Sequence, residues 1–462
     1  MKTILPTLAL VLASATPSLA QSYAVTNGRV VTNTEQGVLA SGTVLVRDGN
    51  IVAVGTDVSI PDGTEIIDAD GGWITPGLFA PVTQIGLIEV ALEGSTTDSG
   101  ADDSPYSVAL DVSDGFNPAG THIAATRMRG VTRAAIYPST GHNIFAGQGA
   151  LVETGGDADS LFESGSFVFA DLSQSGASTA GGSRPAAWAY LEAAFNDARG
   201  YPGRFSADHE GDALNRFDAQ ALLPVVRGRV PLVLNIDRAA DLRRAIRFKA
   251  ENAPVQIIIT GGAEAWLVAD ELAASGIPVL LDPLRNLPAS FDEIAATLDG
   301  AQRLHAAGVT LAYTTQTSDG YYNARLITQH AGNAVANGVA WDQAFRSITL
   351  TPAEIYGVGE LYGALATGYA GDVVVWDGDP LEVMSSPVAV LIDGELTAMD
   401  SRQSRLRDRY INITDETPFA YRVWGFSFFA LTCGGPPVFC PPHAAAPLRR
   451  GRPDFRSSQR MP

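Results

Sequence analysis

Short apolar runs that alternate with amphipathic stretches constrain this chain more than any other feature. The runs at 131–137, 231–235, 255–260, 277–282 and 309–314 are nearly continuous in apolar residues, and the stretches at 239–251, 264–274, 291–307 and 323–337 carry helical periodicity between them. A strand without polar alternate positions needs cover on both faces, and an intervening helix supplies it, so the pattern predicts a parallel sheet in an α/β protein. Spread over residues 75–360, it fits a closed (β/α)8 TIM-like barrel better than an open doubly wound sheet. No glycine-rich phosphate fingerprint follows the first strand, which argues against dinucleotide binding.

The flanks follow a different grammar. Between 21 and 74 the runs Tyr23-Ala24-Val25-Thr26, Gly42-Thr43-Val44-Leu45-Val46 and Asn50-Ile51-Val52-Ala53-Val54 are separated by turn pairs such as Asp48-Gly49 and Asp62-Gly63. The same grammar returns within 361–410, in Gly371-Asp372-Val373-Val374-Val375-Trp376 and Pro387-Val388-Ala389-Val390-Leu391-Ile392. Neither piece has enough strands to bury a face alone, so both ends of the chain are expected to join in one composite β-sandwich.

Residues 1–20 read as a signal peptide: Lys2, an apolar run from Ile4 to Ala13, and Ser18-Leu19-Ala20 before a cleavage point at Gln21. Pro6, Ser14, Thr16 and Pro17 interrupt the stretch, so no transmembrane anchor is expected, and export makes the protein periplasmic or secreted. The formal net charge of -19 disfavours a nucleic-acid or anionic-lipid partner. Cys433 and Cys440 are the only cysteines; in an oxidising compartment they either close a small loop or stay free, and His443 alone beside them is too little for zinc. The tail, 411–462, is expected to be unstructured; from Val423 on it is first apolar and then basic, so a tether to the acidic body or to a membrane surface is the alternative.

Three motifs in order, Trp73-Ile74-Thr75-Pro76-Gly77-Leu78, Thr351-Pro352-Ala353-Glu354-Ile355-Tyr356-Gly357, and Gly363 to Trp376 ending in Gly378-Asp379-Pro380-Leu381-Glu382, carry a resemblance. From Ser22 to Tyr410 the chain resembles the metal-dependent amidohydrolase superfamily, and within it the imidazolonepropionase-like branch. The resemblance implies hydrolysis of carbon–nitrogen bonds in small cyclic amides or dipeptide-like substrates. It also implies a divalent metal, such as zinc, held by His-x-His after the first barrel strand, two later histidines and a final aspartate. At those positions this chain has Val82 and Gln84, then Asn235, Thr260 and Gln316. Its six histidines include no metal-type pair, and Lys249, the only lysine after Lys2, lies in a helix rather than at a strand end. The expectation is therefore a pseudoenzyme without a metal cofactor, keeping a pocket for a small-molecule ligand or pairing with a second copy or an intact homologue. The alternative is an active hydrolase with a rearranged site, with a metal only if another ligand set exists.

For that alternative, Asp237 and Asp282 follow strand ends, where two carboxylates of different pKa can serve as acid and base. Asp237 also suits a helix N-cap before Arg238-Ala239-Ala240-Asp241. His142, in the loop after the second strand, is a candidate catalytic residue or a solvated loop histidine, and Gln148, in Ala146-Gly147-Gln148-Gly149, resembles a family loop that contacts ligand. His305 and His330 are expected on helix surfaces, and His122 and His209 in connections. Glu93, Asp98, Asp102 and Asp103 read as a solvated loop, with weak calcium binding as the alternative. No Gly-x-Ser-x-Gly elbow supports a serine nucleophile.

Overall fold

The computed structural model describes residues 22–205, 211–316 and 322–411. The signal-peptide segment, His209, both cysteines, His443 and the tail from 412 lie outside the described residues. The chain divides into a large unit, Met1–Arg405, and a small one, Leu406–Pro462, of which the described part is the end of the helix Arg402–Ile411. Among the described residues no helix is long and apolar enough to cross a membrane.

Five strands open the large unit: β1 (Ser22–Val31), β2 (Val38–Arg47), β3 (Asn50–Gly55), β4 (Glu65–Asp68) and β5 (Trp73–Pro76). Asp48 and Gly49, with φ of 53° and 80°, make the tight turn between β2 and β3, where the right-handed twist of the strands favours positive φ. Eight strands follow in the second sheet: β6 (Leu78–Thr83), β7 (Val131–Ile136), β8 (Phe145–Glu153), β9 (Leu161–Asp171), β10 (Leu232–Ile236), β11 (Ile257–Gly261), β12 (Val279–Leu281) and β13 (Leu311–Tyr313). The chain then returns to the first sheet with β14 (Val373–Trp376), β15 (Pro387–Ile392) and β16 (Glu395–Leu396). Both ends thus build one hydrogen-bonded sheet, in the order β16-β15-β14-β5-β1-β2-β3 with β4 beside β1, around a core that includes Val25, Val44, Ile74, Val373 and Leu391.

The second sheet runs in sequence order from β6 to β13 and curls into a nearly closed barrel. Tyr313 N–H donates to Ser347 O at 2.9 Å and Phe79 N–H to Ile348 O at 2.8 Å, so the chain at 347–348 bridges the first and last strands. One strand departs from the parallel pattern: β8 is antiparallel to β7 and to β9. Its connection to β9 contains Gly155-Gly156 and no helix, and without a helical crossover the chain can only turn back on itself.

The barrel floor is packed shut. Phe79, Phe167, Val233, Ile258, Leu280 and Ala312 point inward, and Tyr356 enters from below with its hydroxyl donating to Pro81 O at 2.6 Å. Gly149 is required here, because a Cβ at that position would stand 2.0 Å from the Phe167 ring. With the floor filled, polar chemistry is confined to the strands' C-terminal ends.

Candidate ligand site at the barrel mouth

Strand alternation aims the mouth residues. On β10, Val233 faces the barrel interior, and Asn235, two residues on, therefore does too. On β11, Ile258 and Thr260 repeat the pattern. Asn235 and Gln316, with Asp237, Tyr137, Ser173, Gln174, Ser175, Arg285, Ser290, Asp292 and Glu293, line a cavity of about 360 Å3. Gln316 Nε2 donates to Thr260 Oγ1 at 3.1 Å, and Asn235 Nδ2 donates to the buried Asp171 at 3.1 Å. The strand-end residues Asn235 and Gln316 thus share one hollow, with the buried Thr260 behind Gln316.

Val82 packs into the apolar barrel interior, in line with Phe79 because the β6–β7 register shifts between Ala80 and Thr83. Gln84 is buried and donates to Ser139 Oγ at 2.8 Å and Tyr137 O at 3.3 Å.

Asp237 is not the helix cap that its sequence context suggests. Its Oδ1 accepts from Ala263 N–H at 3.1 Å, and the helix Ala239–Glu251 is instead capped from another loop, by Glu264 Oε2 accepting from Ala239 N–H at 3.0 Å. Only a long carboxylate from outside reaches the first free amide, because Asp237 is drawn across to the β11 turn. Burial pushes the Asp237 pKa up to about 6; Arg285, at 3.7 Å, opposes the rise, and Glu293 and Asp292 add to it. Gly261, with φ of +91°, makes room beside it, since a Cβ there would stand 2.7 Å from Asp237 Oδ1 and 3.1 Å from Asn235 Oδ1.

The other candidates are dispersed. Asp282 does not line the cavity: its Oδ1 accepts from Leu284 N–H at 3.0 Å and lies 3.0 Å from His330 Nδ1. His330 is consequently buried and not on a helix surface, because Ile327, His330, Ala331 and Ala334 form the inward stripe of the helix Ile327–Ala336. His305 also departs from the surface expectation; it is partly buried, contacts Tyr313 Oη at 3.0 Å, and loss of hydration lowers its pKa to about 4. His122 lies in the helix Thr121–Arg127, with its ring 5.1 Å from that of Tyr322. His142 is exposed, with Asn143 Nδ2 at 3.3 Å, and joins no group of the cavity. Gln148 sits in mid-β8, away from the cavity lining, with its N–H donating to Leu110 O at 2.7 Å. Glu93 turns back on its own loop and accepts from the Ser95 amide and hydroxyl.

Arg285, Asp292, Glu293 and Asp171 were not singled out by the sequence. Asp171 ends an apolar run, Phe167-Val168-Phe169-Ala170, and carries the same signal as Asp237 and Asp282, whereas Arg285, Asp292 and Glu293 come from a connection without periodicity. A larger hollow, about 610 Å3, lies between Lys249 and Val255 on the N-terminal side of β11; it is mostly alkyl-walled and distant from these groups.

Comparisons with known proteins meet this geometry. A model of the amidohydrolase family matches residues 252–401. The imidazolonepropionase of Acidiphilium cryptum (strain JF-5) is 28% identical over 382 residues, covering 75% of this chain and 89% of that protein. Over residues 252–401 the chain is similar to the amidohydrolase family. The amidohydrolase tasK of Hapsidospora irregularis is 25% identical over 405 residues; the match covers 76% of this chain but only 39% of tasK. The fold is that of the crystal structure of an amidohydrolase from Thermotoga maritima MSB8, with a TM-score of 0.72, 23% identity, and coverage of 81% of this chain and 99% of the other. A TIM-like barrel with a second sheet domain agrees with the strand order of this chain.

Proposed function

We propose that this protein is an exported pseudoenzyme of the amidohydrolase superfamily whose barrel mouth binds a small polar molecule. One observation carries the reading: the positions that the resemblance assigns to metal ligands hold Val82, Gln84, Asn235, Thr260 and Gln316; Asn235 and Gln316 line a polar cavity, their amide N–H groups engaged by Asp171 and by the buried Thr260. Valine has no lone pair to offer, and neutral amide and hydroxyl oxygens are poor partners for zinc, so this donor set does not fit the family's metal. Among the described residues, no three His, Cys, Asp or Glu side chains converge on a metal-sized site. The barrel keeps its shape regardless, because the packed floor and the mouth are separate layers.

The test has two arms. Elemental mass spectrometry of the untagged protein is expected to find no stoichiometric divalent metal, and thermal-shift screening against small polar metabolites is expected to find stabilising ligands that are recovered unchanged. One or two tightly held zinc, iron or manganese ions per chain would overturn the reading. Export is checked by sequencing the mature N-terminus, expected at Gln21. Light scattering with and without an intact homologue checks pairing.

Asp237 favours a second reading, a hydrolase with a rearranged site. A carboxyl with a pKa near 6 beside a polar cavity has the acidity a general acid or base needs. Metal-free turnover of a cyclic amide or dipeptide, abolished in Asp237→Asn, would select it over the first.

A further inference from the structure

The carboxylates around the mouth are unequally supplied with cations. Glu293 is held by Arg285 Nη1 at 2.6 Å, Asp292 by Arg184, and Asp241 by Arg238 at 2.8 Å and Arg184 at 2.7 Å. Asp237 differs. Its residue is 7% exposed, yet its Oδ2 has only Arg285 Nη1 at 3.7 Å, outside hydrogen-bond reach and already committed to Glu293. Asp171, also buried, takes two neutral donors, Ser173 N–H and Asn235 Nδ2, and among the described residues it enters no ion pair.

The neutral walls point the same way. Asn235 gives its amide N–H to Asp171 and Gln316 gives its own to Thr260, while neither amide oxygen accepts a hydrogen bond among the described residues. Both residues line the cavity, so their remaining valence there is as acceptors. A carboxylate oxygen without a hydrogen-bonded partner, on a largely buried residue that lines the hollow, and two acceptor amides beside it call for a positively charged donor. The hollow's volume, about 360 Å3, is that of a small-molecule site and far exceeds that of a bare ion.

We propose that the mouth takes a small organic cation, an alkylammonium or amidinium group, with Asp237 as its counter-charge and the Asn235 and Gln316 amide oxygens as further acceptors. This rests on the binding reading above and names its ligand class. Gly261 belongs to the arrangement, because any larger residue there would crowd the Asp237 and Asn235 oxygens.

Calorimetric titration of the full chain near neutral pH tests it with n-butylammonium and methylguanidinium as probes, and with butan-1-ol, butyrate and calcium chloride as controls. The cations are expected to bind and the controls not, with affinity falling about tenfold or more in Asp237→Asn. Gln316→Met, which removes one acceptor and no charge, is expected to cost roughly threefold to tenfold and serves if the first variant does not fold. Equal binding of the alcohol or butyrate, binding of calcium alone, or undiminished amine binding in both variants overturns the proposal. If no organic cation binds while neutral or anionic metabolites stabilise the protein, the ligand class is wrong and the binding reading stands. If a broad polar library also fails, both fall.

Discussion

Two guanidinium clusters lie deep in this molecule and are completed differently. At the seam between the barrel and the composite sheet, Arg133 of β7 meets Asp372 at 2.7 Å and 2.9 Å, Asp393 at 2.6 Å and Glu153 at 3.4 Å, and stacks 4.2 Å from the Tyr362 ring centre. At the mouth, Arg285 reaches Glu293 but stops 3.7 Å short of Asp237, and its buried Nε has no partner. The seam joins distant parts of the chain, so a full set of partners offsets desolvation there. At the mouth one guanidinium is shared unequally between two carboxylates, and the proposed cation would complete the set.

The strongest attack on this contrast is at the seam. Arg133→Met leaves Asp372 buried without its cation and is expected to cost about 3–5 kcal/mol in urea denaturation. A loss below about 1 kcal/mol would mean that the seam cluster is no more structural than the mouth.

Replacing a mouth carboxylate should have the opposite sign. Because burial raises the Asp237 pKa to about 6 in the folded chain, its contribution to stability is fully present below its unfolded pKa of about 4 and is lost as pH rises through 6. Asp237→Asn is therefore expected to match the parent protein at pH 4 and to exceed it by about 2–3 kcal/mol at pH 7.5, in melts across that range. Asp372→Asn, its counterpart at the seam, is expected to lose about 1.5–3 kcal/mol at neutral pH, because it weakens charge-assisted bonds. The same sign for both variants would erase the distinction.

Two smaller changes sharpen it. Gly261→Ala puts a Cβ onto Asp237 Oδ1 at a positive φ and is expected to cost about 1–2 kcal/mol, together with weaker amine binding in the calorimeter. Glu264→Ala removes the acceptor of the Ala239 and Ala295 amides and is expected to cost about 1 kcal/mol at pH 7.5, with amine binding unchanged. That variant separates a buried carboxylate with a capping duty from one that lines the cavity.

The barrel was legible because runs such as Val255 to Ile259 have no polar alternation, and a strand like that has few places to go. The reversed β8 was not, since direction depends on whether a helix or a turn joins two strands, and 151–200 is rich in glycine, serine and alanine. Asn235, Thr260 and Gln316 were singled out by the family resemblance at strand ends, and Asn235 and Gln316 line the cavity. The burial of His330 is not legible locally, because its contact with Asp282 spans 48 residues of sequence. Of the two readings that the neighbours of Asp237 allow, the helix cap does not hold, because the cap comes from Glu264.

The sequence by itself determined an α/β barrel and a second β-unit drawn from both ends, expected as a sandwich and built as one hydrogen-bonded sheet, and the residue types offered at the barrel mouth. Periodicity and turn chemistry are local, so they survive in one dimension. Tertiary structure alone decided which carboxylates have counter-ions, because an ion pair depends on distances of a few ångströms between residues brought together only by barrel closure.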